Sequence, residues 1–149
     1  MKSQEGSAAI EMAVMMPVIL LVLLGIAQFG WLLVNYLAVG NAASSAARTF
    51  ASQRGTTTPY TTTLAQAKAA ASFLSQSSIT ISATVNGIAC TDDAGCAADL
   101  APASSAAVNV PVAVSVNYSG FNPVVLGNYL NLKSMMPSLL AATVTARAQ

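Results

Sequence analysis

Gly6-Ser7-Ala8-Ala9-Ile10-Glu11-Met12-Ala13-Val14-Met15-Met16-Pro17 opens a run in which no charged side chain follows Glu11 until Arg48. A helix rising ~1.5 Å per residue crosses ~30 Å of hydrocarbon in about 20 residues, so this run is long enough to span a bilayer and continue beyond it. A carboxylate costs roughly 2.5–3.5 kcal/mol at the centre of a spanning helix and less toward its end, so Glu11 at the start of the run asks for a function. Residues 7–54 read as one long helix: Ser7 can cap it, and Ala, Met and Leu favour the state. The pattern stays apolar all round until Gln28. Pro17 removes one backbone hydrogen bond and predicts a kink. The membrane part is expected at about residues 12–39. Beyond it Asn41-Ala42-Ala43-Ser44-Ser45-Ala46-Ala47-Arg48 is small and polar, with Phe50 as an anchor, which predicts packing on a globular head.

Composition narrows the chemistry. Among 149 residues are six Lys or Arg, five Asp or Glu and no histidine, for a net charge of +1. No basic footprint for nucleic acid exists in that balance. Without histidine, the usual general acid/base and the commonest metal ligand are missing. Lys68 and Lys133 can each be paired on paper with a serine, but serines are abundant and no motif flanks them, so no catalytic residue, cofactor or metal site is expected.

Gly55-Thr56-Thr57-Thr58-Pro59 breaks the long helix. A second helix is expected over residues 62–75, with Leu64, Ala67, Ala71 and Leu74 at helical spacing. The period then changes to two. Ile79, Ile81, Ala83 and Val85 alternate with Thr80, Ser82, Thr84 and Asn86, a half-buried strand. Val108, Val110, Val112, Val114, Val116 and Tyr118 form the clearest strand, which Pro111 places at an edge or makes start late. Leu140, Ala142 and Val144 share one face of a third. A short helix is expected to run through Leu132, and the apolar residues of this segment, which starts at Phe121, are expected to close the core, with contact to another subunit as the alternative. The fold class is therefore α+β: a long N-terminal transmembrane helix followed by a small head, residues 55–149, with a three-stranded antiparallel sheet.

Cys90 and Cys96 bracket Thr91-Asp92-Asp93-Ala94-Gly95. Outside the cytoplasm a disulfide closing this loop is expected, and two free thiols are the alternative. A metal shell is not completed by two cysteines without histidine, and Asp92, Asp93 and Asp99 lack the spacing of a calcium loop.

Three explanations compete for the N-terminus. A cleaved secretory signal is opposed by an apolar run far longer than the usual 7–15 residues. A plain single-pass anchor leaves Glu11 unexplained. Cleavage after Gly6 would create a positive amine at Ser7, and Glu11 would become the fifth residue of the mature chain. In a bundle of staggered helices a neighbour's amine then pairs with that carboxylate and sets the register between subunits.

The stretch from Gly6 to Pro17 resembles the processing and helix-opening motif of type IV pilins, most closely the TadE-like pseudopilins or minor pilins of tight-adherence (Flp-type, type IVb) pilus systems. The likeness extends to Leu24-Gly25-Ile26-Ala27-Gln28-Phe29-Gly30, to Ala42-Ala43 and Ala46-Ala47-Arg48, and to the strands around Val112–Tyr118 and Thr143–Arg147. It departs from the family at Gln28, where an acid is common, and at Ser44-Ser45, where a charged pair is common. The leader is short, with Lys2 its one basic side chain. The resemblance implies removal of residues 1–6 by a prepilin peptidase, with Gly6 and Ser7 flanking the cut and Glu11 acting in assembly. It also implies a helix held in the bacterial inner membrane, a periplasmic head that lies outside the cell once in a pilus, and other pilins and the assembly platform as partners. A membrane-anchored binding module that never joins a filament is the competing reading. Neither is an enzyme.

Overall fold

The structure, a computed structural model, describes residues 4–101, 110–122 and 136–148, with side chains from residue 8 onward. Leader residues 1–3, the expected strand start at Val108 and Asn109, the loop and short helix expected over residues 123–132, and Lys133 lie outside the described residues. The elements are α1 (Gln4–Ala51), α2 (Pro59–Ala70), a 3-10 turn (Gln76–Ser78), β1 (Ile79–Val85), β2 (Ile88–Cys90), α3 (Asp93–Leu100), β3 (Val110–Tyr118) and β4 (Leu140–Ala148).

α1 is a 48-residue rod, unbroken through Pro17. It starts at Gln4, three residues before the expected cap, so Ser7 is an interior helical residue. Gln4 and Glu5 are good helix formers, and an acid suits the first turn. It ends at Ala51 rather than near residue 54, because the Ser52 and Gln53 amides fold back onto the carbonyls of Arg48, Thr49 and Phe50. Gly55, at φ +80°, then turns the chain.

α2 also starts earlier than expected. Pro59 is its first helical residue, where a missing N–H costs nothing and φ is already helical. It closes at Ala70 rather than residue 75, and Leu74 reaches the core from the turn that follows.

The sheet has four antiparallel strands, not three, in the order β2-β1-β3-β4. Asn86 and Gly87, at φ +51° and +82°, make a two-residue hairpin closed by the Val85–Ile88 pair, and this adds β2. Registers place Ile81 opposite Val116 and Val116 opposite Ala142, then Ala83 opposite Val114 and Val114 opposite Val144. All these side chains share one face, while Thr80, Ser82, Ser115, Asn117, Thr143 and Thr145 share the other. One buried and one wet face is what the alternation requires.

β3 is central, so the edge placement suggested by Pro111 is corrected; the described strand runs from Val110 and includes the proline. The β1 ladder ends at Val112, one residue before the proline is reached. At Pro111 the chain of β1 has already entered its turn, and the Pro111 carbonyl accepts the Asn86 N–H at 2.8 Å. The missing proline donor therefore falls where no ladder partner needs it.

The buried sheet face packs on α1, where Val39, Ala42, Ala43, Ala46, Ala47 and Phe50 form a stripe at helical spacing and are essentially inaccessible. Alanines let the sheet approach closely, and Phe50 fills the gap beyond them. Phe121 joins the same core. α2 completes it beside α1, touching both the helix and the sheet: Gln66 Nε2 donates to Ser45 Oγ at 2.9 Å, and Tyr60 Oη donates to the Ile81 carbonyl at 3.1 Å.

Candidate functional site

Along α1 the surroundings change once. From residue 8 to residue 27 every side chain is exposed or half-exposed, including Ile10, Met12, Val14, Leu20 and Leu23. That is about 20 residues, or ~30 Å of helix, the thickness of a hydrocarbon core. α1 is the one helix among the described residues long and apolar enough to cross a membrane. In water such a surface would be heavily penalised at about 25 cal/mol per Å² of apolar area, so the exposed stretch demands an apolar neighbour.

Glu11 and Pro17 both lie exposed on this stretch, and Gly6 and Ser7 lie on the helical turn before it. Glu11 is one helical turn beyond Ser7, so the two are neighbours along one face. Gly25 sits near its far end and Gly30 just beyond it, and a methyl at either would meet nothing within 4 Å.

At residue 28 the head begins. Gln28 is 4 % exposed and its Nε2 donates to Met136 Sδ at 3.5 Å. Asn35, 2 % exposed, returns its Nδ2 donor to the Trp31 carbonyl at 2.7 Å. Residues 28–39 thus belong to the apolar run yet turn one face to the head and leave Phe29, Leu33, Tyr36 and Leu37 uncovered on another. Hydropathy alone marks the whole run from 12 to 39 as one segment. The buried Gln28 and Asn35 are the signal that divides it, since a polar side chain in such a run needs a partner.

The second unit is the Cys90–Cys96 disulfide, which closes the segment between β2 and α3. Inside it the two acids have separate structural roles. Asp92 caps α3, its Oδ1 accepting the Gly95 N–H. Asp93 Oδ1 accepts the N–H groups of Tyr60 and Thr61 at 2.8 and 2.9 Å, capping α2 from a different element. Thr58, the residue before α2, makes no side-chain cap of its own. The second cap was invisible in the sequence because it joins residues more than 30 apart.

Residues 6–48 match the family of TadE-like proteins, which agrees with the resemblance read from Gly6 to Pro17 and from Leu24 to Gly30. The match covers less than a third of the chain and follows α1 alone. No curated protein and no solved structure matches the chain.

Proposed function

We propose that the chain is a pseudopilin or minor pilin, a non-enzymatic subunit in the assembly of a bacterial tight-adherence pilus. The observation that carries this reading is the TadE-like match beginning at Gly6, on a helix whose next 20 or so residues are uncovered and apolar and include a single acid. A prepilin peptidase removes residues 1–6 between Gly6 and Ser7. α1 holds the mature chain in the inner membrane with the head on the periplasmic side, where the Cys90–Cys96 disulfide is stable. On assembly the lipid around residues 8–27 is exchanged for neighbouring helices. An unpaired carboxylate is costly in that setting and one paired to a neighbour's Ser7 amine is much less so, so Glu11 selects the register. Pro17 supplies local give in the rod.

The test is the intact mass and N-terminal sequence of the protein from bacterial membranes, with and without active peptidase. Peptidase-dependent Ser7 as the first residue supports the reading. An intact leader, or a cut near residue 47, leaves Glu11 without its partner and favours the anchored binding module or a secreted head.

A further inference from the structure

We propose that the head touches the bilayer directly: the segment before β4, residues 136–139, enters the interfacial layer beside α1, and lipid acyl chains reach into the groove between them from its membrane end. This rests on the reading of α1 as membrane-spanning.

The groove has a volume of about 1000 Å³. Gly25, Phe29 and Leu33 of α1 form one wall and Pro137 and Leu139 the other, and among the described residues no charged side chain lines it. Phe29, Leu33 and Leu139 are 68 %, 60 % and 52 % exposed, three large apolar side chains turned toward one empty space. Left in water, such a cluster is costly; against hydrocarbon the cost disappears.

Depth decides what fills it. If residues 8–27 cross the hydrocarbon, the headgroup layer, about 5–7 Å on each side, takes up roughly the next four or five residues of α1. That layer includes Gln28 and Trp31, and a tryptophan is at home there. The Gln28–Met136 contact at 3.5 Å fixes the head segment at the same level. If the span instead starts after Glu11, it ends near residue 31 and the segment sits deeper still. Both placements bring residues 136–139 to the membrane. β4 then leads away from it, since its first residues lie beside Leu33 and Tyr36 and its last beside Arg48 and Ser52. The groove also runs without interruption onto Val22 and Ile26, inside the uncovered stretch, so the medium that wets those residues enters the groove from that end.

The chain has a single tryptophan, which makes the test direct. The full chain is placed in phosphatidylcholine vesicles whose acyl chains carry bromine at a shallow or a deep position. In a Trp31→Phe background, tryptophan is moved by Leu20→Trp, Leu139→Trp, Ser138→Trp or Ile88→Trp, with circular dichroism and the intact disulfide as folding controls. Ile88 lies at the opposite end of the sheet from Leu140. Leu20→Trp is expected to be quenched by deep bromines. Leu139→Trp and Ser138→Trp are expected to lose about half of their emission with shallow bromines, while Ile88→Trp is unaffected. Quenching of Leu20→Trp with Leu139→Trp and Ser138→Trp no more quenched than Ile88→Trp overturns the inference and leaves the span intact. Failure to quench Leu20→Trp overturns the spanning reading itself. Blue-shifted, unquenched emission from Leu139→Trp that depends on the protein-to-lipid ratio assigns the groove to a second copy, and also overturns the inference.

Discussion

Asp93→Ala should unlock α2 without unfolding the sheet. The substitution removes the carboxylate oxygen that accepts both Tyr60 N–H and Thr61 N–H, at 2.8 and 2.9 Å, from a helix whose own N-cap residue contributes no side-chain bond. Loss of an N-cap typically costs ~1 kcal/mol, and bonds to a charged acceptor reach ~1.5–3 kcal/mol. Here both bonds end on one oxygen and Thr61 is open to solvent, so water replaces part of what is lost. The removed charge at a helix N-terminus adds about 0.3–1 kcal/mol. A cost near 2 kcal/mol follows, equivalent to roughly 30-fold in a local opening equilibrium. Asp93→Asn keeps an accepting oxygen and loses the charge, so about 0.5–1 kcal/mol is expected for it. Hydrogen exchange of the full chain in detergent, read by mass spectrometry, separates the outcomes. Peptides covering α2 should exchange roughly 30-fold faster in Asp93→Ala, and those covering β3 should not change. Wild-type exchange of α2 in Asp93→Ala would refute the capping argument. An Asn variant as damaging as the Ala variant would show that charge, rather than the accepted bonds, carries the effect.

Cys90→Ser with Cys96→Ser should cost about 2 kcal/mol by the chain-entropy argument for so short a loop, measured as a lowered midpoint in thermal melts. Because Asp93 sits inside that loop, combining this pair with Asp93→Ala should cost less than the sum of the two, a sub-additivity read from the same melts. Gly87→Ala should destabilise by about 1–2 kcal/mol, since φ is +82° and no atom lies within 4 Å to add a clash; a neutral melt would remove the strain argument. Ala43→Leu, at a fully buried position against the sheet, should lower the head's melting midpoint by the equivalent of about 1–3 kcal/mol, whereas Ala13→Leu on the uncovered stretch should leave it unchanged.

The strands with strict alternation were legible because one face is buried and one is wet, so Val112, Val114 and Val116 declare their side by spacing alone. β2 escaped notice as a three-residue strand, although Asn86-Gly87 between apolar neighbours is a strong hairpin signal. α3 was hidden for a different reason. Asp-Ala-Gly-Cys has the composition of a loop, and the helix depends on the Asp92 cap and on the disulfide that pins Cys96. Residues that act through distant partners left no local trace at all: Asp93 reads as one of two adjacent acids, and only the fold shows that its neighbour caps α3 while it caps α2. The opening motif around Gly6 and Glu11 was legible for the opposite reason, since its information is entirely local and lies in one helix.

The size of the side chains along α1 explains why the head stops where it does. Where the sheet is the neighbour, the helix presents Ala38, Ala42, Ala43, Ala46 and Ala47, and close approach buries the valines opposite. Toward the N-terminus the same helix presents Ile, Leu, Val and Met, exposed or half-exposed, whose bulk would hold a sheet away and whose surface suits lipid or another helix. Sliding the head toward residue 20 would lose the alanine contact and leave Gln28 and Asn35 to find new cover. Sliding it the other way would strip Gln28 of Met136 and expose Val39. The head is therefore fixed in one position on the rod, and the uncovered length below it is set by packing to about one bilayer thickness. A helix drawn out of the membrane would carry its head at an unchanged height above Glu11, which is the condition a register set by that carboxylate requires.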